Sequence, residues 1–504
     1  MAALVLTELD TATALKYSAA LFVSWYITSS FITWYKLRHI PGPFLAKFSH
    51  FWSIYHQVIG DMGPVHLSLE KYNSPLVRTG PHYVVTSDPD VWKHVNGARS
   101  TYQRDPWWSA SRIDHNRPSL ADTLDSASHD KKKAKLASGY SGRDVDLEKI
   151  IDIQIAKFAD VIKRKHITRE KTDFADLSRF FTLDVITRLA YGKEFGWVEA
   201  SEDLYGYSAD IGKAATLVAV IGDVTWLHPF VRWNFINSRF KPRPDAKDGV
   251  GRVIGYVADI IGREIIRKRF EVDEKDARDM VGSFMRHGLS VSEIEDEALI
   301  QIFAGSDTTA TVIRSVMLYL IATPRVYMRL KTDIENALAK GSVSVPITLA
   351  QAQSMPYLQA VMWEGFRMRP AVTYGHYKAV PPGGDTIAGI WVPGGTAIGH
   401  SHYGMMRSKK IFGEDVDIFR PERYLDQPNG EEMQRTVELV FGTGRWMCAG
   451  KQVALMELNK IFWELLRQFD FQLAEPHNVG WKEASSIVFT HRDMWIKITE
   501  ATNV

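Results

Sequence analysis

One cysteine, Cys448, occurs in 504 residues. No intrachain disulfide can form, which points to a folded domain in a reducing compartment. Charge of one sign is lacking too. The 61 Lys and Arg residues nearly balance 59 Asp and Glu, for a net charge of +2. With no basic tail and no Arg-aromatic patterning, nucleic acid is not expected as a partner. The chain has no internal repeat and no low-complexity tract. It also lacks the Gly-x-Gly-x-x-Gly fingerprint of a bound dinucleotide, so any electrons it uses come from another protein. What it does have is 45% apolar and 12% aromatic residues, enough for a large core.

Tyr17 to Tyr35 carries no charge, and at about 1.5 Å per residue such a helix approaches the roughly 30 Å hydrocarbon thickness of a bilayer. Trp25, Tyr26, Trp34 and Tyr35, then Lys36, Arg38 and His39, have the order of an interfacial belt followed by a cytosolic exit. A short tail (1–16), a single-pass transmembrane anchor (17–35), a basic, proline-bearing hinge (36–44) and one catalytic domain (45–504) are expected. Cleaved signal peptide and buried helix are the competing interpretations of residues 17–35. Pro41-Gly42-Pro43 stops any helix.

The chemistry concentrates in the second half. Phe441-Gly-Thr-Gly-Arg445-Trp446-Met-Cys448-Ala-Gly450 surrounds the cysteine with glycines that permit a tight turn. The helix-forming run from Lys451 would aim an N-terminus at the sulfur and favour its anion. A lone cysteine is, by itself, more often a small buried hydrophobe. Upstream, Ser290-Val-Ser-Glu293 forms a capping box, opening a helix that can run to Thr323 before Pro324. Its apolar centre is interrupted at Ala304-Gly-Ser-Asp307-Thr308-Thr309. Buried polar groups need partners, and Thr308 can bond back to the Ala304 carbonyl. A bend with only a structural role is the simpler alternative. Glu364 and Arg367 fall at i and i+3 on one helix face, a weak signal alone. His129 and Lys133 fall at i and i+4 in a lysine-rich run that would ordinarily be a solvated face.

Taken in order, these stretches resemble the cytochrome P-450 family, in its fungal microsomal form (pisatin-demethylase-like). The cysteine loop is similar to the family's haem-binding loop, and Asp307-Thr308 to its oxygen-handling motif. Glu364-x-x-Arg367 and Phe419-Arg-Pro-Glu-Arg423 are similar to its Glu-Arg-Arg scaffold. The resemblance implies a mainly α fold with small β-sheets, holding haem b between the long distal helix and the cysteine-loop helix. It implies Cys448 as axial iron ligand, Phe441 in the haem loop, and Thr308 and Asp307 as the proton relay. Glu364, Arg367 and Arg423 would be structural.

Trp446 departs from the basic residue usual in the family, so propionate contacts are expected from Arg445, His129, Lys133 and Lys378, with His376 an alternative to Lys378. Trp107 and Trp108, in a long irregular stretch, could line the substrate cavity or pack in the core. The implied activity is insertion of one oxygen atom into a small apolar organic substrate, with electrons from NADPH through a separate cytochrome P-450 reductase and cytochrome b5 as a second donor. Lys131, Lys132, Lys135 and Lys451 are expected on the docking face. An endoplasmic-reticulum membrane location, with the domain in the cytosol, follows from the anchor. A haem-thiolate isomerase or dehydratase and a non-catalytic haem sensor are the competing function classes.

Overall fold

The computed structural model describes residues 11–112, 117–232, 252, 264–476 and 482–501. The architecture is mainly helical with small sheets, as the family resemblance implies. The largest sheet has five short strands. β1 (Val77–Arg78) and β2 (Tyr83–Thr86) form the hairpin expected around Gly80-Pro81, with Val77 opposite Val85. β3 is Gln103–Arg104, β4 Tyr374–Ala379 and β5 Ala397–Ser401. Their order is β1, β2, β5, β4, β3. The β4–β5 register shifts between Gly375 and Lys378, and His376 there has a φ of 53°. Such a bulge re-aims the side chains that follow it.

The N-terminal segment is helical: α1 spans Thr11–Lys36. Its length suffices for a bilayer, but Ser, Thr, Tyr and Trp dilute it. No helix among the described residues is long and apolar enough to cross a membrane. The transmembrane expectation for residues 17–35 is therefore unsupported by hydropathy. Leu21, Val23, Ile27 and Phe31 on α1 are nonetheless exposed. The opposite side is docked, with the Tyr26 hydroxyl donating to Ser49 at 3.0 Å and Trp34 stacked on Phe48. The hinge is packed too: Leu37 and Ile40 are buried and the Arg78 amide donates to the Pro41 carbonyl at 2.7 Å. A short helix, α2 (Phe51–Ile59), follows.

Five further helices build the site: α3 (Ser126–Tyr140), α4 (Phe174–Tyr191), α6 (Val291–Ala322), α7 (Pro356–Met368) and α8 (Lys451–Gln468). A further helix, α5 (Tyr207–Asp223), precedes α6. The α6 capping box forms as expected: Ser290 accepts from the Glu293 amide and Glu293 reaches back to the Ser290 amide. α6 packs closely on α4, and at Gly305 an added Cβ would lie 2.9 Å from Ile186. Residues 233–251 and 253–263 lie outside the described residues.

The Glu364, Arg367 and Arg423 side chains are fully buried together. Arg367 forks onto both Glu364 oxygens at 2.8 Å, and Arg423 Nε reaches Oε1 at 3.0 Å. Burial opposes the Glu364 charge, but Arg367 and Arg423 outweigh it and hold its carboxyl below the usual range. The remaining donors of the two arginines satisfy carbonyls of Met406, Phe412, Val416 and Ile418. The trio thus freezes the irregular chain leading to the cysteine loop. Glu364→Ala strands two guanidiniums and should cost about 3–5 kcal/mol, read as a lowered thermal midpoint and loss of correctly assembled protein. An unchanged midpoint would contradict this role.

Candidate active site

The cysteine loop starts from a short helical turn and enters α8. Gly442 and Gly444 have φ of 72° and 63°, and a Cβ at Gly444 would lie 2.5 Å from the Asn96 carbonyl oxygen. Glycine is required there. The Cys448 amide donates to the Phe441 carbonyl at 2.8 Å, and Phe441 packs edge-on against Phe366 of α7. Cys448 opens into a cavity also lined by Thr308, Ala304, Val372, His376 and Phe441. Burial raises the thiol's pKa, against the pull of the Gly450 and Lys451 amides and the Lys133 and Lys451 charges. The helix N-terminus thus acts as the sequence suggests but loses to desolvation. A bound metal cation reverses that balance, because a coordinating thiol is deprotonated outright.

Thr308 lines the same cavity. Its hydroxyl donates to the Ala304 carbonyl at 2.7 Å, the back-bond read from the sequence. Asp307 points elsewhere. Its Oδ1 accepts from Arg179 Nε at 2.8 Å, while Oδ2 has no hydrogen-bond partner although buried. Arg179, 2% exposed on α4, was not singled out from the sequence. The sequence offered little signal, because the same helix also carries Asp176, Asp184 and Arg188.

The basic residues separate into distinct groups. Lys133 Nζ donates to the carbonyls of Arg445 and Met447 at 2.8 and 2.7 Å, so it braces the cysteine loop, and it also lines the cavity with one N–H left over. Arg445 turns toward Asp130, 3.5 Å away, and is not among the cavity-lining residues. His129 and Lys378 do line the cavity, as does Arg104 of β3, a residue sequence reasoning missed. Arg104 is paired in register with Lys378, a juxtaposition that no local motif announces. Lys378 Nζ and Arg104 Nε are buried with no hydrogen-bond partner. Burial depresses both, taking Arg104 to about 9 and Lys378 well below the usual lysine value. His129 falls to about 4, first by burial and then through Arg104. It is neutral near pH 7 and offers one N–H.

Trp108 lines the cavity, whereas Trp107 is buried beside it with its indole N–H on Asp223 at 2.9 Å. The sequence alternatives for the pair are thus divided between them. Lys132 does not lie free on the α3 surface: its ammonium bonds the Pro118 carbonyl and sits 3.6 Å from Glu297. Lys131 is exposed.

A largely apolar cavity whose lining includes the cysteine sulfur, the Thr308 alcohol and the buried, partnerless Lys378 Nζ and Arg104 Nε fits a dianionic macrocycle. Among the described residues, no cluster of three or more His, Cys, Asp or Glu side chains could hold a bare metal ion. The sequence model of the cytochrome P450 family matches residues 46–493. The chain belongs to the cytochrome P450 family. Fungal relatives cover almost its full length. A cytochrome P450 monooxygenase ABA1 of Pyricularia oryzae is 40% identical over 94% of this chain and 95% of its own. The aba1 monooxygenase of Botryotinia fuckeliana is 38% identical over 92% of both chains, and abl1 of Leptosphaeria maculans 34% over 90% and 81%. This P450 is an enzyme of the monooxygenase type, with a haem, a redox partner and an organic substrate.

Proposed function

We propose that the protein is a haem b monooxygenase in which Cys448 is the axial thiolate, Thr308 and Asp307 serve proton delivery, and Lys378, Arg104 and His129 receive the propionates. The observation that carries this reading is a cavity lined by both the only cysteine and Thr308, together with the buried Lys378 Nζ and Arg104 Nε that have no hydrogen-bond partner. Bound haem supplies the iron at which dioxygen is reduced and one oxygen atom passes to the substrate; a thiolate ligand favours O–O cleavage. The chain's own part is positioning and proton transfer. Thr308 keeps its hydroxyl oxygen toward the cavity while its proton is held on the Ala304 carbonyl, leaving Oγ1 able to accept from a water. Arg179 fixes Asp307, whose free Oδ2 can take protons from the interior and pass them toward that water. Apolar Ile300, Ala304, Val372 and Leu120 exclude bulk solvent and hold an apolar substrate.

NADPH is proposed as the electron source, through a cytochrome P450 reductase, with cytochrome b5 as a second donor. Exposed Lys131 and half-buried Lys135 and Lys451 support a cationic docking face that steers an acidic partner. Attachment to the endoplasmic reticulum membrane through α1, with the catalytic domain (45–504) in the cytosol, is supported by the exposed apolar residues of α1 together with Phe51, Tyr55 and Val58 of α2. The substrate is proposed to be a terpenoid, polyketide or alkaloid scaffold of fungal secondary metabolism; the relatives of at least 34% identity support a fungal monooxygenase.

Thr308→Ala should leave NADPH consumption largely intact while product per NADPH falls about 10-fold or more and peroxide rises. Unchanged coupling would remove Thr308 from the relay, and product formation without oxygen or NADPH would favour an isomerase or dehydratase. Charge reversal at Lys131 and Lys135 should slow reductase-supported turnover and spare peroxide-driven turnover. A chain beginning at Leu37 should wash from membranes that retain the full chain. Equal effects on both electron routes, or equal retention, would contradict these assignments.

A further inference from the structure

Three basic side chains converge on one indole. Lys378 Nζ lies 3.5 Å from the Trp446 ring centroid and the Arg104 guanidinium 4.6 Å from it. The His129 ring is 4.3 Å away, tilted by 46°. Arg104 is further sandwiched, its other contact being Trp108 at 4.2 Å. Lys378 and Arg104 come from neighbouring strands, with Lys378 1% and Arg104 8% exposed. Two like charges this close and this shielded repel strongly. Arg104 does anchor one nitrogen on the Leu120 and Thr123 carbonyls, at 2.7 and 3.1 Å. Lys378 has no such tether.

Ordinary solutions fail here. A carboxylate between the two cations would neutralise them and occupy the donors that an anionic ligand needs. A third basic side chain would add repulsion. An aliphatic residue would fill space but offer nothing to a charge. An indole face is electron-rich, attracts cations without carrying charge and leaves their N–H groups unclaimed.

We propose that Trp446 is a positioning residue, an aromatic plate that holds Lys378 and Arg104 side by side and aimed into the cavity before the haem propionates arrive. The proposal rests on the haem reading above. It makes a charge-free side chain within the cysteine loop responsible for orienting cations contributed by two neighbouring strands that lie far apart in sequence. The propionates then meet donors already in place, so little ordering accompanies their capture.

The test uses purified haem-loaded protein and follows haem transfer to excess apomyoglobin, together with the reduced carbon-monoxide spectrum. Trp446→Leu keeps bulk but removes the aromatic face, and should speed haem loss about 10-fold or more, in line with a desolvated cation–π contact. Trp446→Phe should stay within about 3-fold of the parent chain. Lys378→Met should raise haem loss as Trp446→Leu does, and combining the two should add little, because both act through one contact. Equal haem loss from the parent, Leu and Phe chains, or fully additive Trp446→Leu and Lys378→Met effects, would overturn the plate while an intact thiolate band kept the haem reading standing. A parent chain without that band would remove the haem reading itself. Should the Leu chain fail to accumulate with haem, Lys378→Met decides: haem loss no faster than in the parent chain overturns the proposal.

Discussion

A sulfur that is to bond a metal has to be held still, unpaired and facing its cavity, in a loop with no regular secondary structure to fix it. That constraint organises this fold. The loop closes on itself through the Cys448 amide and the Phe441 carbonyl. From α3, Lys133 grips the carbonyls of Arg445 and Met447. Behind it, Glu364 collects Arg367 and Arg423, whose remaining donors bind the preceding chain. Each contact ties a backbone carbonyl or amide instead of the thiol, which leaves the sulfur available.

The same interior shows two ways of keeping charge away from water. Asp307 and Arg179 meet as a buried pair between α4 and α6, and one Asp307 oxygen stays free. Glu364 is over-satisfied by two cations, the Arg420 amide and the Tyr424 hydroxyl, which suits a group that should never move. A buried pair is strongly destabilised if one partner is removed. Function and scaffold therefore use the same chemistry with opposite degrees of completion: the relay keeps a spare lone pair, the scaffold keeps none.

What the sequence revealed follows from where information is local. Capping boxes, glycine spacing and the i to i+4 back-bond of Thr308 depend on residues within one turn, and each formed as read. The paired motifs around Glu364 and Arg423 were legible because the family resemblance supplied their order. Arg104 and Arg179 were not, since their importance comes from strand register and helix packing that bring residues about 270 and 128 positions apart together. Lys133 lines the cavity, and its grip on two loop carbonyls was not legible, because spacing reports which face a side chain occupies and not which atom it reaches. For α1, length and lack of charge suggested a membrane span, whereas its Ser, Thr, Tyr and Trp content lowers hydropathy below that needed. Trp446 was first a departure from expectation; its neighbours from β3, β4 and α3 give the departure a physical sense.

The account stands or falls on the bond between Cys448 and iron. The reduced carbon-monoxide difference spectrum of the purified protein measures it directly. A red-shifted thiolate band in the parent chain, lost in Cys448→Ser, is the predicted result. A haem-loaded parent chain with no such band, or a Cys448→Ser chain that keeps it, would contradict the account.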